Sequence, residues 1–353
     1  MQHPLRDGVY APTSKEIAVY PRNSSGSRTR VFSTATLKAH PFAVGAVLAA
    51  VAVAILNHGL AKKAERRNPP RGRFVTVEGV RLHYVERGTG TPLVLLHGNG
   101  SMTQDFQSSG LIDLAAQKYR VIAFDRPGFG HSNRPRGTVW TPEAQADLIR
   151  AALDQIGISR AIVMGHSWGT LVAVTLALKF PQTVQALILA SGYYYANARA
   201  DVFVLSPPAL PLIGDILSHT VSPILSRLMW PGLLRKIFGP SPVPAKFEGF
   251  PMEMAVRPSQ IRASAAETAL MIPSARTLQK AYRQIEMPVV IVAGAEDRLI
   301  ESEQSSKLHI DIAHSILHLV PRTGHMVHQT ATQDVMSAID MAAEQQRIPA
   351  PAA

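Results

Sequence analysis

The 353-residue sequence contains no cysteine. This absence excludes disulfide bonds, a thiol nucleophile, zinc sites with cysteine ligands and lipid anchors attached to cysteine. It leaves the cellular compartment open, because many proteins of oxidising compartments also lack disulfides. An apolar content of 46% with 17% charged residues excludes general disorder. The chain is therefore long and apolar enough to bury a large core.

Acidic residues are scarce in the first 73 positions, which hold three Asp and Glu against twelve Lys and Arg. The other 280 residues hold 22 acidic and 24 basic residues, so most of the formal net charge of +11 belongs to the N-terminal segment. A nucleic-acid-binding domain would carry its basic residues on a folded surface, and the sequence has no signature of such a domain. We therefore expect no nucleic acid partner.

An uncharged stretch runs from Pro41 to Ala61 and is long enough to span a bilayer, which takes ~20 residues. We interpret it as a transmembrane helix in contact with membrane lipid. The alternatives are an apolar helix packed on the domain and a cleaved signal peptide, although a signal peptide normally begins near the N-terminus. Lys and Arg are slightly more numerous after the helix than before it, which favours a cytoplasmic catalytic domain.

Changes in composition divide the chain into segments. A region of nearly 70 residues that is rich in proline and bulky apolar residues is too long for a structureless loop, so we interpret it as an inserted lid of short helices. The predicted segments are a flexible basic extension (1–40), the transmembrane helix (41–61), a basic linker (62–72), a core in two parts (73–192 and 261–346), the lid (193–260) and a disordered tail (347–353).

The predicted core alternates short apolar runs with helix-like segments. Runs such as Ala186–Ala190 and Val289–Ala293 are typical of parallel strands that are buried on both faces. Alternating residues on either side of Glu78-Gly79 predict an antiparallel pair of strands. Thr141-Pro142 has the N-cap and first-turn residues of a helix start. The pattern predicts an α/β fold, a mostly parallel sheet with helices on both faces.

The motif Gly165-His166-Ser167-Trp168-Gly169 lies between an apolar strand and an apolar helix. In that context G-x-S-x-G is a sharp turn that exposes the serine hydroxyl at the edge of the sheet. Small residues are needed at Gly165 and Gly169 because strand and helix crowd together there. We predict that Ser167 is the catalytic nucleophile, and the alternative is a structural turn.

A serine hydroxyl is a weak nucleophile, so it needs a base and a carboxylate that orients the base. Functional residues of a parallel sheet follow the C-terminal ends of its strands. His325 follows the last apolar run, and we prefer it to His328 because Gly324 marks a tight loop that can aim an imidazole. Asp297 and Glu296 both follow the preceding run. We prefer Asp297, which gives the chain order nucleophile, acid, base.

A glycine-rich loop, His97-Gly98-Asn99-Gly100, follows an earlier strand. Its backbone N–H groups can face a reacting carbonyl. We predict that the N–H groups of Asn99 and Trp168 form the oxyanion hole, where one donor contributes about 3 kcal/mol of transition-state stabilisation. His97 itself is interpreted as a structural residue.

Two histidine pairs, His314 with His318 and His325 with His328, have spacings that suggest a metal site. Neither pair has a carboxylate or a further histidine placed to complete the site. We therefore expect no metal, and the sequence does not indicate an organic cofactor.

Taken together, the motifs resemble those of the α/β-hydrolase superfamily over about residues 73–343. The matching residues are His97 to Gly100, Asp125 to Ser132, Gly165 to Gly169, Gly294 to Asp297 and Gly324-His325. The resemblance implies an eight-stranded sheet with the lid inserted after the sixth strand, and a structural turn at Asp125 to Ser132 near the site. Relatives that open epoxides or remove halides carry Asp at the elbow, so Ser167 argues against both activities.

The N-terminal helix and the apolar lid favour a small, apolar or lipid-like carboxylic ester as the substrate. The leading hypothesis is hydrolysis through an acyl-enzyme on Ser167. An aminopeptidase or a carbon–carbon bond hydrolase would use the same triad. A membrane-tethered binding protein that has lost the chemistry is the alternative from another class. The sequence does not identify a protein partner.

Overall fold

The computed structural model describes residues 41–345. From Val47 onwards the described residues form one compact unit, and Pro41–Ala46 are grouped apart from it. The predictions for the basic extension (1–40) and for the tail (347–353) lie outside the described residues.

Eight strands form a single sheet. They are β1 (Arg73–Val77), β2 (Val80–Arg87), β3 (Thr91–Leu96), β4 (Tyr119–Phe124), β5 (Ala161–His166), β6 (Val184–Ala190), β7 (Val289–Gly294) and β8 (Ile316–Val320). Their order in the sheet is β1-β2-β4-β3-β5-β6-β7-β8. β2 is antiparallel to β1 and β4, and the other neighbours are parallel. The predicted eight-stranded, mostly parallel sheet is confirmed.

Helices cover both faces of this sheet. The α-helices of the described residues are α1 (Pro41–Arg67), α2 (Thr103–Ser108), α3 (Leu111–Ala115), α4 (Pro142–Gln155), α5 (Gly169–Lys179), α6 (Ala200–Leu205), α7 (Ile213–His219), α8 (Val221–Phe238), α9 (Met252–Ala255), α10 (Pro258–Leu278), α11 (Glu303–Asp311), α12 (Val327–Thr330) and α13 (Thr332–Gln345). α4, α5 and α11 contribute to one hydrophobic cluster, and α2, α3 and α13 contribute to the other. Thr141 caps α4 as predicted, since its hydroxyl accepts a hydrogen bond from Ala144 N–H (3.3 Å).

Successive residues of the central strands join opposite clusters. In β3, Val94 and Leu96 belong to the cluster with α4 and α5, whereas Leu93 and Leu95 belong to the cluster with α2 and α13. Both faces of the strand are therefore covered by helices. This explains why the strand sequences are continuous apolar runs rather than alternating ones.

The residues between β6 and α10 do not add strands to the sheet. They form α6 to α9, with short 3-10 turns at Pro207–Ala209 and Ala245–Gly249. A third hydrophobic cluster, which includes Met102, Phe238 and Phe250, lies among these helices. The lid and α10 together cover the C-terminal edge of the sheet, where β5 ends.

Helix α1 continues past Ala61 to Arg67, so the predicted linker 62–72 is helical over its first six residues. Lys, Ala, Glu and Arg, which make up these six residues, are strong helix formers. Glu65 also forms an ion pair with Arg257, just before α10 (3.0 Å). The predicted boundary at residue 61 marks the end of the uncharged stretch, and the helix itself continues to Arg67. It ends before Asn68-Pro69-Pro70, a sequence that breaks a helix.

The apolar part of α1 is exposed. An 18-residue window of this helix has a mean hydropathy of 2.0, and only 6% of that window is buried. This finding contradicts the alternative of an apolar helix packed on the domain. The C-terminal end of α1 does pack, since Ala64 is buried in the cluster that contains Phe238 and Phe250. By length and composition α1 could cross a membrane.

Candidate active site

Ser167 lies in the sharp turn between β5 and α5, with a backbone φ of +53°. Non-glycine residues rarely adopt this left-handed conformation, and it costs on the order of 1–3 kcal/mol. The crowding predicted around it is confirmed. A Cβ on Gly165 would lie 2.5 Å from the carbonyl oxygen of Gly169, and one on Gly169 would lie 2.3 Å from that of Leu96. Only glycine fits at these two positions, so the serine is held at the end of the strand.

The structure brings Ser167, His325 and Asp297 together. Ser167 Oγ lies 2.9 Å from His325 Nε2, and His325 Nδ1 lies 2.7 Å from Asp297 Oδ2. With the imidazole proton on Nδ1, His325 donates to the carboxylate and Nε2 accepts from the serine hydroxyl. All three residues are largely buried. This arrangement matches the geometry of a nucleophile, a base and an orienting acid.

The carboxylate of Asp297 is itself fixed by the backbone. Its Oδ1 accepts hydrogen bonds from the N–H groups of Leu299 (2.8 Å) and Ile300 (2.9 Å). Its other oxygen is therefore left for His325. The alternative acid, Glu296, is exposed, and it is Asp297 that makes the hydrogen bond to the histidine. The preference for Asp297 over Glu296 agrees with the observed contacts.

The competing base, His328, lies behind the triad rather than at the serine. Its Nε2 is 2.9 Å from Asp105 Oδ1, an ion-pair contact whose angle is outside hydrogen-bonding geometry. The His166 ring lies between the two histidines, with ring centroids 4.3 Å from His328 and 5.0 Å from His325. The structure thus separates the two histidines that the sequence placed three residues apart.

His166 supports the loop that carries His325. Burial, together with the neighbouring His328 and His325 rings, holds the pKa of His166 well below its ordinary value. The ring is therefore neutral, and its Nε2 lies 3.1 Å from the backbone carbonyl oxygen of His325, to which it can donate. This contact fixes the backbone from which the catalytic imidazole would project.

Asp105, His166 and His328 are a further group that sequence reasoning missed. Each offers one potential metal ligand, and the three ligand atoms lie within 4.8 Å of one another. The carboxylate of Asp105 already accepts hydrogen bonds from Ser101 Oγ and Gln329 Nε2, both at 2.8 Å. Burial acts to raise the pKa of Asp105, but the His328 imidazole outweighs it and the pKa lies below its usual range. These contacts favour a buried polar network over a metal centre.

Arg126 orients the glycine-rich loop that contains Asn99. The guanidinium donates from Nε to the carbonyl oxygen of His97 (2.7 Å) and from Nη2 to that of Gly98 (3.0 Å). In a trans peptide the C=O and N–H groups point in opposite directions, so the Asn99 N–H points away from Arg126. A Cβ on Gly98 would lie 3.0 Å from Ser167 Cβ, which shows how closely this loop approaches the serine.

Asn99 and Trp168 both line the cavity that contains Ser167. The side chain of Asn99 is already used, since its Nδ2 donates to Ser264 O (3.1 Å) and Thr268 Oγ1 (2.9 Å) on α10. The side-chain donor is therefore engaged, and the backbone N–H of Asn99 is the donor that we assign to an oxyanion. The predicted pair therefore belongs to two residues that line the same cavity as the serine.

His97 has the structural position that was predicted for it. It is fully buried, its Nε2 accepts from Arg126 N–H (3.0 Å) and its Nδ1 lies 2.8 Å from the carbonyl oxygen of Gly98. Burial, with the adjacent Arg126 charge, lowers the pKa of His97 to about 3. The imidazole is neutral and does not contact Ser167.

Arg126 and Glu267 form a buried ion pair that the sequence analysis did not identify. The Arg126 side chain is fully buried, and two of its nitrogens donate to the Glu267 carboxylate. Trp168 Nε1 donates to the backbone oxygen of Glu267 (3.0 Å). Glu267 is the one charge in an Ala- and Thr-rich stretch of α10, which is the signal that could have revealed a buried partner.

The cavity above Ser167 has a volume of about 390 Å³. Its floor contains Ser167 and His325, and its walls come from the lid and α10. The wall residues are mainly apolar and include Leu225, Met229, Trp230, Phe247, Phe250 and Ile261. A site of this kind suits an apolar molecule with one polar reacting group.

Comparison with known proteins agrees with this architecture. The model of the alpha/beta hydrolase family matches residues 93–338. Over 265 residues the chain is 27% identical to the uncharacterized hydrolase YugF of Bacillus subtilis. The aligned region covers 73% of this chain and 92% of YugF. Over 270 residues it is 26% identical to 2-hydroxy-6-oxo-2,4-heptadienoate hydrolase of Pseudomonas putida. The aligned region covers 74% of this chain and 91% of that enzyme.

A solved structure described as a membrane phospholipase A, a novel bacterial virulence factor, shares the fold. It is 21% identical, with a TM-score of 0.61 over 89% of this chain and 96% of that one. The family match spans more than half of the sequence and includes the residues around Ser167, Asp297 and His325. On this basis the chain is a hydrolase and belongs to the alpha/beta hydrolase family.

Proposed function

We propose that this chain is a membrane-attached serine hydrolase that cleaves an apolar, lipid-like carboxylic ester. The observation that carries the proposal is the hydrogen-bonded series Ser167–His325–Asp297 at the floor of an apolar cavity. A hydroxyl activated by a buried imidazole is suited to acyl transfer.

In the proposed acylation step, Ser167 Oγ attacks the ester carbonyl carbon and its proton passes to His325 Nε2. The carbonyl oxygen becomes an oxyanion that accepts hydrogen bonds from the N–H groups of Asn99 and Trp168. Asp297 stabilises the imidazolium, which then gives its proton to the departing alkoxide. Water attacks the acyl-enzyme with His325 again acting as base, and the carboxylic acid leaves.

The character of the cavity supports a lipid-like ester. Its walls supply aromatic and aliphatic side chains from the lid, which would bury an acyl chain. The polar lining of the cavity includes Ser167, His325 and the glycine-rich loop, together with the charged side chains of Arg199 and Asp201 from the lid. The likeness in fold to a membrane phospholipase A is consistent with this substrate class.

Helix α1 supports attachment to the membrane, because it exposes a long apolar stretch that water would solvate poorly. We further propose that the catalytic domain lies on the cytoplasmic side, where the larger number of Lys and Arg after the helix would place it. Protease protection in sealed vesicles tests this orientation.

The test of the proposed function is fluorophosphonate labelling of the detergent-solubilised full chain and its Ser167→Ala variant. Hydrolysis of p-nitrophenyl esters from acetate to palmitate is measured alongside. We expect labelling and turnover that disappear in the variant, with a preference for longer acyl chains. Absence of labelling in the folded wild-type chain would contradict the triad and favour a binding protein without chemistry.

A carbon–carbon bond hydrolase is the second candidate, because the relative from Pseudomonas putida is named as a hydrolase of 2-hydroxy-6-oxo-2,4-heptadienoate. Labelling of Ser167 without ester turnover, combined with cleavage of such a dienoate, would establish this alternative. Labelling with turnover of aminoacyl anilides would instead indicate an aminopeptidase.

A further inference from the structure

Exposed apolar side chains are concentrated in the lid. Of the 24 large hydrophobic residues that are exposed in the described part of the chain, 13 fall between Phe203 and Leu233, in α6 to α8 and the turns between them. Single exposed apolar residues are common on soluble proteins, but a concentration of this kind marks an interaction surface. We call the six most exposed of these residues the lid apolar surface: Phe203, Val204, Leu212, Ile213, Ile216 and Leu228.

Helix α1 lies against this part of the lid. The side chain of Asn57 is buried, and its Nδ2 donates to the backbone oxygens of His219 and Thr220, each at 2.9 Å. These two residues join α7 to α8. On the N-terminal side of Asn57, α1 exposes apolar residues such as Val51 and Ile55. The lid therefore contacts α1 at the point where its exposed apolar stretch begins.

The position of Asn57 sets the depth of the lid in a bilayer. Phe42 to Asn57 spans about 23 Å at ~1.5 Å per residue, which is less than the ~30 Å of a hydrocarbon core. A bilayer that covers the apolar stretch of α1 therefore extends to Asn57 and to the α7–α8 junction bonded to it. Ile216 and Leu228 lie within one to three turns of that junction.

The cavity opens within the same segment. Leu205, Leu225 and Met229 line the cavity above Ser167 and are also about half exposed. Side chains that face both the cavity and the exterior form the rim of an opening. The opening is therefore bordered by apolar residues of the lid.

We propose that the lid apolar surface rests in the lipid bilayer, so that an acyl chain passes from the bilayer into the cavity without crossing water. The proposal rests on the membrane attachment given under Proposed function. Lipid is the occupant favoured by the structure because the α7–α8 junction in the middle of this surface is bonded to Asn57, where the exposed apolar stretch of α1 ends. Water-exposed apolar side chains at this density would otherwise carry a cost in hydration free energy.

The absence of native cysteine allows a direct test. Single-cysteine variants Ile216→Cys and Leu228→Cys of the full chain are labelled with an environment-sensitive dye and reconstituted in phosphatidylcholine–phosphatidylglycerol vesicles. Ile310→Cys is the matched control, since Ile310 is 75% exposed against 63% for Ile216 but lies on α11, outside the lid. Val51→Cys reports insertion of α1.

We expect blue-shifted emission and quenching by nitroxide-labelled lipid at Ile216, Leu228 and Val51, with an aqueous spectrum at Ile310. Lipid contact at Val51 with aqueous spectra at Ile216 and Leu228 would overturn the inference alone. An aqueous spectrum at Val51 would overturn the membrane attachment and the inference together. Energy transfer between dyes on the lids of two copies, without quenching by labelled lipid, would overturn the inference and show that the lid apolar surface binds a second copy of the chain instead of lipid. None of these readouts depends on catalysis, so a failed triad is detected separately by fluorophosphonate labelling.

Activity provides a second readout. In the double variant Ile216→Asp/Leu228→Asp, turnover of a long-chain ester embedded in vesicles should fall at least tenfold, whereas turnover of soluble p-nitrophenyl acetate should change less than twofold. Ile310→Asp should leave both unchanged. Equal losses on the two substrates in the double variant, or no loss on either, would contradict a role for this surface in membrane contact.

Discussion

The guanidinium of Arg126 donates a 3.0 Å hydrogen bond to the carbonyl oxygen of Gly98, and this bond determines the direction of the Asn99 N–H. Arg126 is in turn held by Glu267, 141 residues away in the sequence. A helix that follows the lid is thereby connected to the loop that would bind the oxyanion. The connection is rigid because both charged side chains are fully buried.

Replacement of Arg126 by lysine should impair the oxyanion loop. Lysine retains the charge beside Glu267, but it lacks the planar fork that reaches two carbonyls and a carboxylate at once. We expect kcat on a soluble ester to fall about 100-fold with little change in KM, since the loss of one oxyanion donor costs a factor of 10² to 10³. Steady-state kinetics measure the effect, and thermal unfolding verifies that the variant folds.

The control is Arg120→Lys, which alters a partly exposed ion pair with Glu86 (2.7 Å) outside the cavity. It should change kcat less than twofold. If Arg126→Lys is as active as this control, the guanidinium is not needed to orient the Asn99 N–H.

Asp297→Asn tests the role of the acid. The amide would favour the wrong tautomer of His325, and kcat should fall on the order of 10⁴-fold. Glu296→Gln, one residue earlier and exposed, is the matched control and should stay close to wild type. Comparable losses in the two variants would mean that the carboxylates act through the fold of the loop rather than through the histidine.

Asp105→Asn tests the polar network behind the triad. The substitution removes the charge opposite His328 in a fully buried site, and the free energy of unfolding should fall by about 3–5 kcal/mol. Asp113→Asn breaks an exposed pair with Arg87 and should cost less than about 1 kcal/mol. Urea unfolding in detergent, followed by tryptophan fluorescence, compares the two. Equal values would show that the buried pair adds no more than the exposed one.

Stability should fall as the pH is lowered from neutrality. The folded pKa of His97 is about 3 and that of His166 is also well below normal, so the unfolded chain takes up these protons first, from about pH 6.5 downwards. Each histidine contributes a loss of about 1.4 kcal/mol per pH unit between its unfolded and folded pKa. The loss due to His97 is absent above pH 6.5 and accumulates as the pH falls to about 3.

The variant His97→Gln, which keeps an acceptor for Arg126 N–H, should reduce this slope by about 1.4 kcal/mol per pH unit between pH 6 and 4. Urea midpoints at a series of pH values provide the measurement. An unchanged slope would mean that His97 is not the neutral, buried group described above.

The sequence identified the parts of the site that depend on local structure. The motif around Ser167 is contiguous, and Asp297 and His325 each follow a strand whose apolar run is easily recognised. Position narrowed the choice to Asp297 or Glu296 and to His325 or His328, and Gly324 favoured His325. The sheet was predictable for the same reason, since strands buried on both faces have an apolar signature that is independent of their neighbours.

Long-range pairs were not predictable. Asp105 meets His328, and Arg126 meets Glu267, only because the lid and the last helices return to the sheet edge. The helical conformation of residues 62–67 was not predicted for a different reason. Its charged residues are good helix formers, and their partners, such as Arg257, belong to a distant segment.

The continuity of α1 has one more consequence. From Val47 the helix runs unbroken through Asn57 to Arg67, and Ala64 packs in the cluster that contains Phe238 and Phe250, so this part of the apolar stretch belongs to the catalytic body. A domain on a slack tether would sample many heights above the bilayer and would meet substrates in any orientation. In the proposed membrane-attached enzyme the nucleophile would stay at one fixed height, and the search for substrate would become two-dimensional, restricted to esters that lie at that depth in the leaflet.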